Sequence, residues 1–422
     1  MKKNAFTLVE LITVIAILAV ITIIFIPNTA KILKENSTKV YKVKEKQLIE
    51  SAKDYVEFDK DFVPPTDTDP VKYININTLI SKNYIDKILE EKQPKNVVTI
   101  LCDGMGSNII DRILTKDSFL IKQRIKPITT VFPATTVAAT TSAMTGLNPI
   151  ETAMLGWNMY YKPLNKIITT FLNCEKGDSK YIKLKEAEEY KRKNMITKSI
   201  MEEINEKGND SSYILFPFGN EPYETLDDMC GRIEELCKKE GKKYIYAYNT
   251  EPDSSMHELG SDSKKVDEII KEINFKIEEL SKKLKDTIIF VIADHGHINV
   301  ENIFLKDYPS VVSCLKMNTS LEPRAVNFFI KENKQNEFEK LFEHYFSEDF
   351  SLYTKKDIID SKLFGDGIKN KAVDDILGDY IAIAKTDKAI LYEGDEVLKS
   401  HHAGYTDDEI LIPLIVIDTN EI

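Results

Sequence analysis

The chain has 422 residues, of which 42% are hydrophobic, and this is sufficient for two or three globular domains. Its net charge of −11 gives no electrostatic basis for a nucleic-acid footprint, and none is predicted. The five cysteines are scattered and odd in number, which favours reduced structural thiols and a cytosolic history for the part of the chain that carries them.

The first predicted element is an apolar segment at residues 6–26, interrupted by the single charge of Glu10. At about 1.5 Å per residue, a helix of this length spans about 30 Å, which is enough to cross a bilayer. Lys2 and Lys3 precede the segment, so the positive-inside rule predicts a cytoplasmic N-terminus. The sequence therefore predicts a single-pass membrane protein whose remaining residues are extracellular.

The same segment carries a processing pattern. A short basic leader ends at Ala5, FTLVE begins at Phe6, and Glu10 is the acid of that run. This pattern resembles the N-terminus of type IV prepilins and pseudopilins. The resemblance implies that a prepilin peptidase cuts after Ala5 and methylates Phe6, and that Glu10 pairs with the N-terminus of a neighbouring pilin subunit. The family usually has Gly before the cut, so Ala5 departs from its pattern.

The residues that follow predict a stem. They are highly charged up to about Phe58 and carry apolar residues at helical spacing, which predicts an amphipathic continuation of the membrane helix. VPPTDTDP ends this helix, and EEKQPK is typical of a linker. The predicted divisions are a leader at 1–5, a transmembrane pilin-like helix at 6–27, a pseudopilin stem with linker at 28–95, and a C-terminal domain at 96–422.

Strands of this C-terminal domain are predicted to end in potential metal ligands. The apolar run NVVTILC begins at Asn96 and is followed by Asp103, and a strand at 288–293 is followed by Asp294 and His295. Alternating strands and helices predict an α/β fold, in which the carboxyl ends of parallel strands share one edge of the sheet. These side chains are therefore expected to converge.

Two further segments follow the same pattern. YIYAYNTEPDSSMHELG, at 244–260, is a strand ended by a polar turn in which Asp253 and His257 are four residues apart. SHHAGYTDDEILIPLIVI places His401 and His402 before a final strand. Oxygen atoms of Asp and nitrogen atoms of His suit two close zinc-type ions, which can activate one oxygen and stabilise another during displacement at phosphorus.

The nucleophile for such a displacement is predicted in TTVFPATTVAATTSAMTGL, at 129–147. The run begins as a strand that ends at Pro133, and a helix of small residues at 137–144 ends at Gly146. Thr136 lies at the helix N-terminus, where free backbone N–H groups and the helix dipole favour a phosphate. A Thr hydroxyl needs a base or a metal to become nucleophilic, and the Asp and His residues supply that activation.

Five motifs occur between residues 96 and 422, namely NVVTILCDGMGSN, VFPATTVAATTSAMTGL, EPDSSMHELG, VIADHGH and HHAGYTDDEILIPLIV. Together they resemble the alkaline phosphatase superfamily and, within it, the type I phosphodiesterase/nucleotide pyrophosphatase branch. The resemblance implies an alkaline-phosphatase-like three-layer α/β sandwich with a mostly parallel central sheet. It also implies a phosphoester or nucleotide substrate and two divalent metal ions, either zinc or, as an alternative, manganese.

The resemblance assigns roles to individual residues. It implies that Thr136 is the nucleophile and forms a covalent phospho- or nucleotidyl-threonine. Thr135 is the alternative nucleophile, and His401 is the alternative to His402 as a ligand. His297 is expected to contact a metal-ligating residue or to pack in the core. A role as a metal ligand itself stays open as the alternative. The implied metal ligands are Asp253, His257 and His402 for one ion, and Asp103, Asp294, His295 and the Thr136 oxygen for the other.

Substrate contacts are predicted elsewhere in the domain. Better-known nucleotide pyrophosphatases have Asn three residues after the nucleophile, where this chain has Ala139. Asn108 or a backbone N–H group is therefore expected to hold the phosphate oxygen. The segment 154–243 interrupts the core and predicts a cap, in which Trp157 and Tyr160 could stack on a base. Ordinary packing of these aromatic residues is the alternative.

The sequence thus predicts a membrane-tethered two-metal hydrolase that cleaves phosphate diesters or nucleotide pyrophosphate bonds. Two alternatives stay open. The chain could be a structural minor pilin of a type IV pilus or a type II secretion-like system with an inactive passenger. It could also be an accidental fusion that leaves the enzyme in the cytosol, a possibility that the reduced cysteines favour.

Overall fold

The computed structural model describes residues 92–195, 198–208 and 210–422. The predicted leader, apolar helix and stem lie outside these ranges, and so does the prepilin site at Ala5, Phe6 and Glu10. None of the helices in the described ranges combines the length and the hydropathy that a bilayer crossing requires. All five cysteines fall within the described ranges and are free.

Strands and helices alternate through the described residues. The strands are β1 (Asn96–Cys102), β2 (Arg124–Thr129), β3 (Asn158–Tyr161), β4 (Lys166–Thr169), β5 (Cys174–Glu175), β6 (Ser211–Leu215), β7 (Lys243–Asn249), β8 (Thr287–Ile292), β9 (Ile298–Asn299), β10 (Glu301–Phe304), β11 (Ser320–Glu322), β12 (Ala325–Phe328), β13 (Phe350–Thr354), β14 (Tyr380–Ala384), β15 (Lys388–Leu391), β16 (Ser400–His401) and β17 (Leu411–Asp418). The α-helices are α1 (Ser107–Ile113), α2 (Phe119–Lys122), α3 (Thr136–Thr145), α4 (Pro149–Thr152), α5 (Lys185–Asn194), α6 (Ile200–Lys207), α7 (Leu226–Lys238), α8 (Asp253–Leu259), α9 (Lys264–Lys283), α10 (Pro309–Cys314), α11 (Gln335–Phe346), α12 (Lys355–Asp360), α13 (Ala372–Ile376) and α14 (Asp407–Ile410). Short 3-10 helices lie at Lys162–Leu164 and Leu305–Asp307.

A six-stranded sheet with the order β2-β17-β8-β1-β7-β6 forms the main core. Strands β6, β7, β1 and β8 are parallel, whereas β17 runs antiparallel to both β8 and β2. Every residue of β1 and β7 is buried, which explains the continuous apolar run of β1 in the sequence. The sheet is therefore mixed, with a parallel centre and one antiparallel strand near its edge.

A second sheet is antiparallel and has seven strands in the order β13-β14-β12-β11-β3-β4-β5. It joins parts of the chain that are far apart in sequence, because β3 pairs with β11 through Asn158 and Leu321. One face of this sheet packs into an apolar cluster that includes Phe132 and Val137, which lie in and next to the loop before α3. The second sheet is thereby attached to the segment that carries Thr136.

The segment 154–243, predicted as one cap, is divided between the two sheets. Its first part forms β3, β4 and β5 of the second sheet. Its last part belongs to the main core, because β6 pairs with β7 and α7 packs against α9. The cap prediction treated these pieces as one insertion, since short strands look alike in sequence and only their pairing partners distinguish them.

The boundaries around the predicted nucleophile are close to the sequence prediction. Helix α3 begins at Thr136 and ends at Gly146, whose φ of 70° is left-handed and favours glycine. The strand before it is shifted toward the N-terminus, because β2 ends at Thr129. Thr130 has left the strand, and its hydroxyl donates to the carbonyl of Asp294. The loop before α3 is thus held against the end of β8.

Candidate functional site

Three aspartates meet at the carboxyl edge of the main sheet. Asp103 directly follows β1, Asp294 lies just after β8, and Asp253 begins α8 shortly after β7. The loops are connected by their backbones, because the Asp103 N–H donates to the Asn249 carbonyl at 2.8 Å and the Asp253 N–H to the Asp103 carbonyl at 3.1 Å. The parallel register of β1, β7 and β8 therefore places these carboxylates side by side, as predicted for strand ends.

The first cluster contains Asp103, Asp294 and His295, all buried. The Nε2 atom of His295 lies 3.3 Å from Asp103 Oδ1 and 3.6 Å from Asp294 Oδ2. The other oxygens are anchored, because Tyr248 donates its hydroxyl to Asp103 Oδ2 and the Gly104 N–H donates to Asp294 Oδ1 at 3.0 Å. Each carboxylate is thus oriented by one oxygen and presents the second to His295.

The second cluster surrounds the carboxylate of Asp253. Its Oδ1 atom lies 2.8 Å from His297 Nε2, 3.3 Å from His257 Nε2 and 4.0 Å from His402 Nε2. In each of the two clusters the potential ligand atoms all lie within 4.8 Å of one another. The rings of His295 and His402 stack at a centroid distance of 3.7 Å, so the two clusters are adjacent.

Three of the histidines are oriented as metal ligands usually are. A ligating histidine commonly donates its second ring N–H to a carbonyl or carboxylate, which fixes the tautomer and frees the other nitrogen. In all three the Nδ1 atom faces a backbone carbonyl, so that Nε2 faces the carboxylates. The pairs are His257 with Ser400 at 2.8 Å, His295 with Gly296 at 3.0 Å, and His402 with Ala134 at 3.0 Å.

The buried carboxylates fit a divalent cation. Asp103 Oδ1 and Asp294 Oδ2 are buried and have no hydrogen-bond partner among the described residues. Burial and the charge of Asp253 raise the pKa of Asp103, while burial and the charge of Asp103 raise that of Asp294. Burial also raises the pKa of Asp253, but the imidazoles of His257 and His297 outweigh it and hold that pKa well below its usual value. Carboxylate oxygens without partners beside imidazole nitrogens are a donor set for zinc-type ions.

Thr136 and Thr135 have different surroundings. The Thr136 hydroxyl faces His295 Nε2 at 3.2 Å and lies at the N-terminus of α3. Among the described residues no side chain caps this helix, so the first backbone N–H groups of α3 can bind an anion. Thr135 is fully buried and donates its hydroxyl to Glu322 at 2.6 Å. The contacts thus favour Thr136 over the alternative Thr135 as the residue that faces a substrate.

His297 and His401 lie near the two clusters in different ways. His297 joins the second cluster through Asp253, and its Nδ1 atom has no partner among the described residues. Burial lowers its pKa to about 4, so it is neutral at physiological pH. His401 is buried in β16 and lies outside both clusters, although its ring is 5.5 Å from that of His257. His402 is the member of this pair that the structure brings to Asp253.

The predicted substrate contacts are more widely distributed. Asn108 donates its amide to the His297 carbonyl at 3.1 Å, which places it beside the second cluster. The ring of Trp157 is partly exposed, and its backbone N–H donates to Glu322. Tyr160 lies on β3 of the second sheet, and its hydroxyl donates a hydrogen bond to the Asn165 side chain at 3.0 Å.

Sequence reasoning missed four residues that support the site. Tyr248 orients Asp103, and Glu322 accepts the hydroxyl of Thr135. Arg324 and Glu409 form a fully buried ion pair beside the loop of His402. The motif Glu322-Pro323-Arg324 offered one signal, because two opposite charges interrupt an otherwise apolar region. Their partners, however, are 85 to 187 residues distant in sequence.

Buried carboxylates and imidazoles at the carboxyl edge of a mixed α/β sheet thus form two adjacent candidate metal sites. The model of the type I phosphodiesterase / nucleotide pyrophosphatase family matches residues 97–405. The chain belongs to this family and is a phosphodiesterase-type hydrolase.

Solved structures share the fold. Murine ectonucleotide pyrophosphatase / phosphodiesterase 5, as an inactive variant in complex with AMP, is 18% identical with a TM-score of 0.58. A second structure of the murine protein is 19% identical in sequence with a TM-score of 0.58, and a structure of the human protein is 20% identical with a TM-score of 0.57. Each similarity covers 75% of this chain and 87% of the other. A search of curated proteins gave no match.

Proposed function

We propose that this protein cleaves phosphate diesters or nucleotide pyrophosphate bonds through a covalent threonine intermediate formed on Thr136. The observation that carries the proposal is the position of the Thr136 hydroxyl, which lies at a free helix N-terminus and 3.2 Å from His295. A phosphoryl group bound by the N-terminal N–H groups of α3 would lie next to this oxygen. Membership of the family supports the same type of reaction.

The reaction has two steps. The Thr136 Oγ atom gives its proton to water and attacks phosphorus, the Oγ–P bond forms, and the bond from phosphorus to the leaving oxygen breaks while that oxygen takes a proton from water. A second water molecule then attacks phosphorus, the Oγ–P bond breaks, one proton of this water restores the Thr136 hydroxyl, and the phosphate or phosphate monoester leaves. The N–H groups of α3 stabilise the negative charge that develops on the phosphoryl oxygens.

We propose two divalent ions, zinc or manganese. When bound, they supply Lewis acidity that lowers the pKa of the attacking hydroxyl or water and offsets the charge of the leaving oxygen. Asp253, His257 and His402 would hold one ion. Asp103, Asp294 and His295, with the Thr136 oxygen, would hold the other. The Nδ1 hydrogen bonds to Ser400, Gly296 and Ala134 hold the three ligand histidines in position, and Tyr248 does the same for Asp103.

The proposed reaction is tested with p-nitrophenyl esters. The purified chain is expected to hydrolyse bis-p-nitrophenyl phosphate, and a chelator should abolish turnover that added zinc or manganese restores. Comparison with p-nitrophenyl phosphate decides between diester and monoester preference. Turnover that persists in chelator after complete removal of metal would contradict the two-metal proposal.

A nucleotide is the substrate class that the aromatic residues near the site favour. Phe216 and Phe218 stack at 4.9 Å, and both lie 6.0 Å from Tyr248, which donates to Asp103. Phe218 is 53% exposed and, through its contact with Tyr248, lies near the first cluster. A similar fold binds AMP in the murine structure. We propose that a base of the substrate stacks on Phe218.

Phe218→Ala is expected to raise the KM for p-nitrophenyl thymidine 5′-phosphate about 5- to 100-fold, because stacking of one base contributes about 1–3 kcal/mol. The KM for p-nitrophenyl methyl phosphate, which has the same leaving group and no base, should be unchanged. Phe275→Ala is the matched control, since Phe275 is similarly exposed but lies on α9. An equal rise in KM for both esters would contradict base stacking.

We also propose a membrane location from residues 6–26, which lie outside the described residues. In this location the enzyme faces the exterior, and Glu10 is a carboxylate in apolar surroundings that needs a partner such as a neighbouring subunit's N-terminus. Glu10→Ala is therefore expected to preserve membrane association and phosphodiesterase activity and to reduce incorporation into pilin filaments. N-terminal sequencing tests the cut after Ala5. Full protection of the enzyme from protease added to intact cells would contradict the location and support an accidental fusion.

A further inference from the structure

The turn between β11 and β12 carries two buried charges of opposite sign. Glu322 ends β11, Arg324 precedes β12, and Pro323 separates them. Glu322 is 6% exposed and Arg324 is fully buried. Burying charged groups is costly, and well-packed apolar residues are often at least as stabilising as a buried ion pair. A role in orienting other groups is therefore a better explanation for these residues than fold stability.

Glu322 holds the turn that precedes the proposed nucleophile. Its Oε1 atom accepts the hydroxyl of Thr135 and the backbone N–H of Trp157, both at 2.6 Å. Thr135 is the N-cap residue of α3, so its backbone determines where Thr136 and the first free N–H groups of the helix lie. The Glu322 carboxylate thus connects the second sheet to the nucleophile end of α3.

Arg324 holds the loops that carry two histidines, through its partner Glu409. The guanidinium donates to both Glu409 oxygens, from Nε at 2.6 Å and from Nη2 at 2.8 Å. The same carboxylate accepts the N–H of Gly404, two residues after His402, at 2.7 Å. The backbone carbonyl of Glu409 accepts the Gly296 N–H at 2.8 Å, directly after His295.

We propose that the turn Glu322-Pro323-Arg324 is a positioning element for the active site. In this arrangement Glu322 orients the Thr136 turn, and Arg324 orients the loops of His402 and His295 through Glu409. The assignment of what is oriented rests on the proposed function, whereas the contacts themselves do not. The Glu322 half of the proposal concerns the rate of reaction, because the Thr135 turn positions the proposed nucleophile. The Arg324 half concerns metal binding, because the Glu409 contacts support the histidine ligands.

The Glu322 half is tested in the full chain. Glu322→Ala is expected to lower kcat about 10- to 100-fold, because misplacement by about 1 Å can cost that much in rate. Zinc affinity, measured by competition with a chromophoric chelator, should fall less than in Arg324→Lys, because Asp103, Asp294 and His295 stay in place and only the Thr136 oxygen is displaced. Glu322→Gln should restore most of kcat, since its amide oxygen can accept both hydrogen bonds. Equal losses in the Ala and Gln variants, or an unchanged kcat in the Ala variant, would overturn this half.

The Arg324 half uses a conservative variant that keeps the charge. Arg324→Lys cannot make the two-pronged contact with Glu409. It is expected to weaken zinc binding about 10- to 100-fold, the range typical of residues that support metal ligands. This readout needs no turnover, so it distinguishes failure of the positioning proposal from failure of the proposed reaction. Unchanged zinc affinity would overturn the Arg324 half.

Asn327→Ala is the matched control for both halves. Asn327 is fully buried on β12 of the same hairpin, but its amide donates to Ser320 and Ile376, outside the active site. Asn327→Ala should lower the thermal unfolding temperature. Its zinc affinity and its kcat should stay those of the unaltered protein. If Asn327→Ala reproduced the kcat loss of Glu322→Ala or the zinc loss of Arg324→Lys, the effects would reflect hairpin stability and the proposal would be wrong.

Discussion

Thr136→Ala is expected to reduce turnover by about three orders of magnitude or more, a loss of about 4 kcal/mol of transition-state stabilisation. The substitution removes the hydroxyl that faces His295 and leaves the carboxylates and imidazoles of both clusters in place. Metal content should therefore stay close to that of the unaltered protein. Residual activity above the uncatalysed rate is expected, because the helix N-terminus and the cations still stabilise a phosphoryl group.

The measurement combines initial rates on bis-p-nitrophenyl phosphate with metal analysis of the same preparation. Thr145→Ala is the matched control, since Thr145 is the last residue of α3 and its hydroxyl donates within the helix to the Thr141 carbonyl. Acid quenching during turnover should trap a p-nitrophenyl phosphoryl group on the unaltered protein and none on Thr136→Ala. An active Thr136→Ala variant together with an inactive Thr135→Ala variant would move the nucleophile by one residue.

Asp294→Asn and His257→Ala are expected to remove metal from different sites. Asp294 belongs to the cluster around His295, whereas His257 faces Asp253 in the other cluster. Each variant should lose about one ion per chain, because an amide oxygen binds zinc-type ions far more weakly than a carboxylate does and alanine supplies no ligand atom. Loss of either ion should lower the rate on the order of a thousandfold, or about 4 kcal/mol.

Metal stoichiometry is measured by elemental analysis after dialysis, alongside turnover. His344→Ala is the control, because His344 is an exposed residue of α11 and lies outside both clusters. Either variant with full metal content and a near-normal rate would contradict the two-site assignment. An unaltered protein that neither binds metal nor turns over substrate would instead support the alternative of an inactive passenger.

The sequence by itself predicted the central strands and most of the residues that meet in the two clusters. Continuous apolar runs such as NVVTILC become buried parallel strands because both faces of a central strand are covered. Polar residues at the ends of such runs must then lie at one edge of the sheet. This reasoning identified Asp103, Asp253, Asp294 and His295 because it needs only local patterns and the rule for parallel strands.

The tertiary structure alone decided which neighbouring residues share a site. His401 and His402 are adjacent in sequence, yet His402 is the one in the Asp253 cluster, because His401 ends β16 whereas His402 lies in the loop after that strand. Thr135 and Thr136 are separated in the same way, since one is the N-cap residue turned to Glu322 and the other begins α3. One-residue alternatives of this kind depend on backbone orientation, which periodicity does not specify.

Long-range polar contacts were equally beyond the sequence. Glu322 and Arg324 stand on a hairpin of the second sheet, and their partners Thr135 and Glu409 come from opposite ends of the enzyme domain. The division of residues 154–243 between two sheets has the same origin, because pairing of β6 with β7 and of β3 with β11 is set by packing. Local patterns determine which segments become strands, whereas burial of shared apolar faces determines which strands become neighbours and which charges meet.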